Sequence, residues 1–152
     1  MRIVKLAFAV LTATLALGSA AAQAAGEDDI ARTYGVWRNP HDTVHLEIKD
    51  CGPSTCGIVV WASAKAQADA RKSGSDTLIG QQLLRDFEPQ KAGGMRGKVY
   101  VPTLKMTFQG TAELLDGKTM KAKGCVIGNL LCKSQVWTRI DSGYNMASRA
   151  AP

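Results

Sequence analysis

The stretch MTFQGTAELLDGKTMKAKGCVIGNLLCKSQVWTRI, residues 106–140, decides the fold. Apolar or small residues alternate with polar ones through its first part, and Asp116-Gly117 is a dipeptide that two-residue hairpin turns favour. The alternation then resumes and returns after a second turn centred on Gly128-Asn129. A period of two residues interrupted by turn residues is typical of antiparallel strands. The stretch therefore predicts three strands that are joined by two hairpins.

The same pattern extends towards the N-terminus. Alternating runs predict eight strands in all, near 35–39, 43–51, 56–62, 81–88, 95–101, 105–115, 118–126 and 131–140. Eight short strands joined mainly by hairpins favour an all-β fold, a small antiparallel up-and-down barrel whose closure removes exposed sheet edges. The predicted inward residues mix glycine and alanine with aromatic side chains, which suits a partly hollow barrel and a filled one alike.

One segment, 62–75, breaks the strand alternation. It is rich in alanine and charged residues, and it predicts a short helix or loop insertion that ends at Gly74. Because it carries little apolar surface, it is either a movable cover at the mouth of the barrel or a passive surface element.

The first residues have the features of an export signal. A cationic start and an apolar run at 6–17 precede a small-x-small pattern that ends at Ala24. The run is too short to span a hydrocarbon layer of roughly 30 Å as a helix. We therefore predict that residues 1–24 are a cleaved signal peptide and that 25–152 form a single periplasmic or secreted domain, which does not span the membrane.

Charge adds little about partners. The formal net charge is +6, and two of the positive charges lie in the predicted signal peptide. So modest an excess gives no case for a nucleic-acid partner, and we expect none. We also expect a monomer.

The four cysteines fall in two local pairs, Cys51 with Cys56 and Cys125 with Cys132. In an oxidising compartment they are expected to form disulfides, and folding each hairpin about its turn brings the members of each local pair opposite one another. A long link from Cys51 to Cys132 is an alternative that loop entropy favours. A zinc site is a further alternative, but the second spacing is too wide for its usual ligand pattern.

Four motifs, read in this order, resemble one family. GVWRN, CGIVVW, GKVYVP and GCVIGNLLCKSQVWTRI are similar to elements of the exported bacterial proteins grouped as domain of unknown function 2147 (DUF2147). The resemblance implies a fold and an exported location, and it implies no reaction. The sequence departs from the family pattern at Val101 and Leu104, where the family usually has aspartate and glycine, so a site built on that aspartate is not expected here.

A looser likeness concerns lipocalin-like barrels. These place a Gly-x-Trp on the first strand and stack an arginine of the last strand over the tryptophan. Gly35, Trp37 and Arg139 match that arrangement. The likeness implies that Arg139 closes one end of the barrel over Trp37, a cation–π contact worth about 0.5 to 2 kcal/mol.

Motifs of catalysis or cofactor binding are missing from the sequence. It has no nucleophile elbow, no phosphate-binding loop and no zinc-protease motif. His41 and His45 share a strand face at a separation of about 13 Å, too far apart to chelate one metal ion. We predict that His45 is a solvated outer-face residue, and we predict no catalytic residue, metal or cofactor.

Two hypotheses of function remain, with a hydrolase a distant third. In the first, the barrel binds a small apolar or amphipathic ligand. Its predicted contacts are the walls Trp61, Phe108 and Trp137, with Arg96, Lys98 or Arg139 for an anionic head. In the second, a filled barrel acts as an envelope interaction or stress protein and binds no ligand. An interior volume of about 300 Å³ or more separates the two.

Overall fold

A computed structural model describes residues 28–127 and 130–140. Eight antiparallel strands follow one another around a closed barrel, and the last strand pairs with the first. The strands are β1 Gly35–Arg38, β2 Val44–Asp50, β3 Thr55–Ala62, β4 Gln82–Pro89, β5 Met95–Val101, β6 Met106–Leu114, β7 Thr119–Val126 and β8 Leu131–Ile140. One helix, α1 Ala64–Lys72, joins β3 to β4. The predicted all-β up-and-down barrel with one short helical insertion is confirmed.

Hydrophobic alternation puts one face of each strand into the barrel. The fully buried side chains include Trp37, Ile48, Met95 and Met120, on four different strands. They lie at the end of the barrel where β1, β3, β5 and β7 begin. We call this the closed end and the opposite one the open end.

Both disulfides are local, as predicted. Cys51 is bonded to Cys56 across the β2–β3 turn, with their Cα atoms 5.8 Å apart. Cys125 and Cys132 oppose one another in the β7–β8 register and are also bonded, with a Cα separation of 4.0 Å. The first bond therefore staples the closed end and the second staples the open end. With all four sulfurs in disulfides, the long link and the zinc site do not form.

The inserted segment forms helix α1. Ser63 caps its N-terminus, because its side-chain oxygen accepts a hydrogen bond from the backbone N–H of Ala66 at 3.2 Å. The helix ends just before Gly74, whose positive φ of 78° suits a residue without a side chain. Ala70 is buried against the barrel core together with Leu78. Ala70 and Leu78 therefore anchor this part of the chain to the core.

An irregularity between β2 and β3 overturns one prediction. The register shifts between His45 and Leu46 and skips Val60, which brings Trp61 opposite His45. The two rings stack with centroids 4.4 Å apart. His45 is fully buried, and its Nε2 lies 2.7 Å from Oδ1 of Asp42. The prediction of a solvated His45 is wrong because the bulge brings an indole ring over it.

Two predictions concern residues outside the described ranges. They are the signal peptide at 1–24 and the turn centred on Gly128-Asn129. Among the described residues, no helix is long and apolar enough to cross a bilayer.

Candidate functional site

The closed end is built around Trp37. Its ring is fully buried, and its indole N–H donates a hydrogen bond to the backbone carbonyl of Thr33 at 2.8 Å. The guanidinium of Arg139 lies over this ring, 4.2 Å from its centroid. The segment 28–34, which begins with one helical turn, contributes Ile30 and Thr33, which are also buried. Buried side chains of the strands and of this segment together fill the end of the barrel.

Arg139 ties three segments together at this end. Its nitrogens donate hydrogen bonds to the backbone carbonyls of Arg32, Tyr34 and Gly117, the last two at 2.6 and 3.0 Å. The path of the chain requires glycine at Gly35, whose φ is 128° and whose added Cβ would lie 2.8 Å from the Arg139 guanidinium. The Gly-x-Trp pattern and the arginine are therefore parts of one structural lock.

Three glycines mark the level of the barrel at which side chains no longer fill the interior. Gly97 pairs with Gly110 across β5 and β6, and Gly110 pairs with Gly124 across β6 and β7. Phe87 packs over the first two, since an added Cβ at Gly97 would lie 2.4 Å from its ring. A Cβ added at Gly124 would meet nothing within 4 Å. The packed core therefore ends beside Gly124.

The space beyond this point is a cavity of about 640 Å³. Its mostly apolar walls come from β4 to β8 and from Leu46 on β2, with Phe87 and Met120 on the side of the closed end. Leu104 and Leu131 line it and are exposed, so the cavity reaches solvent between the β5–β6 and β7–β8 turns. The barrel is thus filled at one end and hollow at the other.

Two polar side chains belong to the cavity wall on β8. Lys133 pairs with Gly124 and Gln135 pairs with Ala122, in the same alternation that points Trp137 inward. Within the described residues, Lys133 makes no ion pair. Neither residue was predicted to line the interior, although their even spacing from Trp137 was a usable signal. They add a cation and an amide to a mostly apolar wall.

The predicted ligand contacts divide into two groups. Phe108 and Trp137 line the cavity together. Among the described residues, Trp61, Arg96 and Lys98 are not part of its lining. Trp61 instead stacks on His45. Arg139 lies over Trp37 at the closed end.

The two cationic residues on β5 lie on the outer face of the barrel. Arg96 is exposed and pairs in register with Glu88 and Thr111. Lys98 forms an ion pair with Asp86, with Nζ and Oδ2 2.9 Å apart. Neither side chain belongs to the cavity lining, whereas Lys133 does.

Helix α1 contributes no residue to the lining of the cavity within the described chain. It lies at the open end, where the ammonium of Lys105 approaches Gly74 so closely that an added Cβ would be 2.6 Å from it. The helix is therefore next to the mouth and does not cover it.

The fold and site define a class: a small disulfide-stapled antiparallel barrel, sealed at one end by an arginine–tryptophan lock and hollow at the other. The chain belongs to the DUF2147 family, because the family model, described as an uncharacterized protein conserved in bacteria, matches residues 35–139. The comparison with curated proteins found no match, and the comparison with solved structures found none.

Proposed function

We propose that this protein binds one small apolar or amphipathic molecule inside the open half of its barrel. The observation that carries the proposal is the cavity of about 640 Å³, which has mostly apolar walls and a cationic side chain, Lys133, at an inward strand position. Ligand sites in proteins are commonly clefts of about 300 to 1,000 Å³ with mostly apolar walls and a few placed polar groups. The volume of this cavity lies within that range.

The chemistry of the wall favours an apolar body with an anionic head. Phe108, Leu131 and Trp137 offer apolar and aromatic surface to the body. Lys133 offers an ammonium with no ion-pair partner among the described residues, and Gln135 offers an amide beside it. Carboxylate and phosphate oxygens bind such groups through charge-assisted hydrogen bonds.

The alternative of a filled barrel that serves only as an interaction or stress protein fits the closed half alone. There, Trp37, Ile48, Met95 and Met120 leave no room. Beside Gly124 the interior is empty, and an interaction protein has no need of that space. We therefore favour ligand binding.

We further propose that the protein works in the periplasm after removal of residues 1–24. Two disulfides support this location, since disulfides persist in oxidising compartments and are rare in the reducing cytosol. The cationic and apolar start of the sequence supports it as well.

The decisive experiment fills the cavity without disturbing the core. Gly124→Leu places a side chain where an added Cβ has no neighbour within 4 Å, and Gly117→Leu is the control in the β6–β7 turn, where the space is also open. Binding of the apolar fluorescent probe N-phenyl-1-naphthylamine is followed by its emission. We expect Gly124→Leu to weaken probe binding by about tenfold or more, since a filled pocket forfeits the apolar burial. The control should bind like the wild type.

A second variant tests the anionic head. Palmitate displaces the probe in this assay, and Lys133→Gln should weaken palmitate about fivefold to tenfold because one charge-assisted hydrogen bond is lost. The neutral probe should bind Lys133→Gln normally. If Gly124→Leu and the wild type bind the probe equally, the cavity is not the binding site. Native mass spectrometry of protein taken from its own cell envelope then identifies the natural ligand.

A further inference from the structure

The mouth of the cavity is surrounded by exposed apolar side chains. Eight large apolar side chains are exposed in the described chain, and five of them lie in or beside the β5–β6 and β7–β8 turns. Their exposed fractions range from 52% to 81%. We call these five residues the apolar rim: Leu104, Met106, Ile127, Leu130 and Leu131. So dense a cluster is unlike the scattered apolar residues of an ordinary surface, and it marks an interaction site.

One member of the rim is held outward at a conformational cost. Ile127 has a φ of 53°, the left-handed region that a β-branched residue rarely adopts. Its side chain is 74% exposed, so burial in the barrel does not compensate for that strain. Strain of this kind concentrates at functional positions, where another interaction compensates for it.

The charged residues of the two chain segments that carry the rim all have one sign. Segments 98–109 and 123–135 contain no aspartate or glutamate, and their charged residues are four lysines. These are Lys105, Lys123, Lys133 and Lys98, the last of which is ion-paired with Asp86. Lys98 also borders, with Met106 and Ile127, a second groove of about 460 Å³ next to the mouth. The turn residues of the closed end, by contrast, carry both signs, as in Asp116 and Lys118. This side of the open end is therefore both apolar and cationic.

We infer that the apolar rim docks on an anionic phospholipid bilayer and faces the mouth of the cavity towards the lipid. Apolar side chains enter the boundary between headgroups and acyl chains, while neighbouring lysines attract the acidic headgroups. A second copy of this chain suits the surface less well, because the lysines of the two copies would repel one another. The inference goes beyond ligand binding: it names the surface with which the barrel exchanges an apolar molecule.

The test uses vesicles of phosphatidylcholine alone or mixed with phosphatidylglycerol, and measures the protein that sediments with them. Leu130→Gln removes an exposed leucine from the apolar rim, and Leu115→Gln removes one from the β6–β7 turn at the closed end. Both variants keep residues 1–27, so any contribution from that segment is the same. We expect Leu130→Gln to weaken binding to the mixed vesicles about tenfold, in line with the apolar area withdrawn from lipid. Leu115→Gln should bind like the wild type.

A second pair of variants tests the charge. Lys105→Gln should weaken binding to the mixed vesicles about threefold to fivefold, and Lys118→Gln at the closed end should have no effect. Equal losses at the two ends, or binding that ignores phosphatidylglycerol, would overturn the inference. So would a dimer of the wild type that Leu130→Gln converts to a monomer. Binding of N-phenyl-1-naphthylamine by the same variants separates the two proposals, because a failure of docking leaves probe binding in the cavity intact.

Discussion

The two ends of this barrel have the same strand pattern and opposite interiors. At the closed end, Trp37, Met95 and Met120 are fully buried, and Arg139 locks the chain with hydrogen bonds to three carbonyls. At the open end, inward positions hold Ala122 and Gly124, and a cavity remains. Alternation decides which face of a strand points inward, whereas side-chain volume at each level decides whether the interior is filled.

Truncating one tryptophan at each end should give the largest difference in stability between the two ends. Trp37→Ala removes a ring enclosed on all sides, and we expect it to lower the free energy of unfolding by about 3 to 5 kcal/mol. Trp137→Ala removes a half-buried ring that faces the cavity. Because that ring already lacks neighbours on one side, the loss should be roughly half as large. Urea unfolding of both variants measures the difference. Equal losses would mean that the open end is as tightly packed as the closed end.

Gly97, Gly110 and Gly124 form a row across β5, β6 and β7, which we call the glycine row. Adding one methyl group within this row compares the packing at two of its positions. A Cβ added at Gly110 would lie 2.3 Å from Cγ2 of Val99, whereas one added at Gly124 meets nothing within 4 Å. We expect Gly110→Ala to destabilise the protein by about 1 to 3 kcal/mol through overpacking. Gly124→Ala should change stability by less than about 0.5 kcal/mol. The two midpoints of thermal unfolding report the result, and a loss at Gly124 as large as at Gly110 would place the packed core beyond the glycine row.

The sequence predicted the strands and their inward faces well because both follow from local alternation and turn residues. Phe108 and Trp137 were therefore placed on the cavity wall correctly. It did not predict the register shift between His45 and Leu46, because a bulge depends on how two strands pair and leaves no mark on the alternation of either. That single shift removed Trp61 from the predicted wall and buried His45.

Asp86 shows the same limit on β4. The register shifts between Arg85 and Glu88, Asp86 adopts a φ of 53°, and Phe87 turns inward to pack over Gly97. The size of the cavity depends on this placement of Phe87, which no local pattern encodes. The inward position of Lys133 was not predicted, although its even spacing from Trp137 indicates that face.

Arg139 tests the lock at the closed end. Arg139→Ala removes the stacking on Trp37 and the hydrogen bonds to Tyr34 and Gly117, and we expect a loss of about 1 to 2 kcal/mol in the free energy of unfolding. Arg139→Lys keeps the charge and should recover less than half of that loss, because an ammonium lacks the planar fork of donors. Arg96→Ala is the control on the exposed outer face and should change stability by less than about 0.5 kcal/mol. A near-neutral Arg139→Ala would mean that the segment 28–34 alone holds the end together.

Substitution of two exposed aspartates should have the smallest effect on stability. The two carboxylates differ clearly in what lowers their pKa. At the closed end, the backbone N–H of Lys118, the hydroxyl of Thr119 and the backbone N–H of Thr119 hold the pKa of Asp116 below its usual range. On α1, a hydrogen bond from Lys65 lowers the pKa of Asp69, helped by the charges of Lys65 and Lys72. The Asp116 carboxylate is stabilised mainly by donors of its own turn, and the Asp69 carboxylate by the ammonium groups of two lysines.

Both carboxylates have a folded pKa below the unfolded one, so the stabilisation they give is present above the unfolded pKa and is lost as the pH falls through the folded pKa. We therefore expect Asp116→Asn and Asp69→Asn to be slightly less stable than the wild type near neutral pH, and the differences in melting temperature to vanish in strong acid. Salt separates the two, because about 1 M NaCl screens exposed charges over roughly 3 Å. The Asp69→Asn difference should shrink in salt, whereas the Asp116→Asn difference should persist, since donation from backbone N–H groups has fixed geometry and little dependence on ions. If salt removed both differences equally, the β6–β7 turn would be held by the charge of Lys118 instead of by its backbone, and the closed end would owe less to main-chain hydrogen bonds than its geometry indicates.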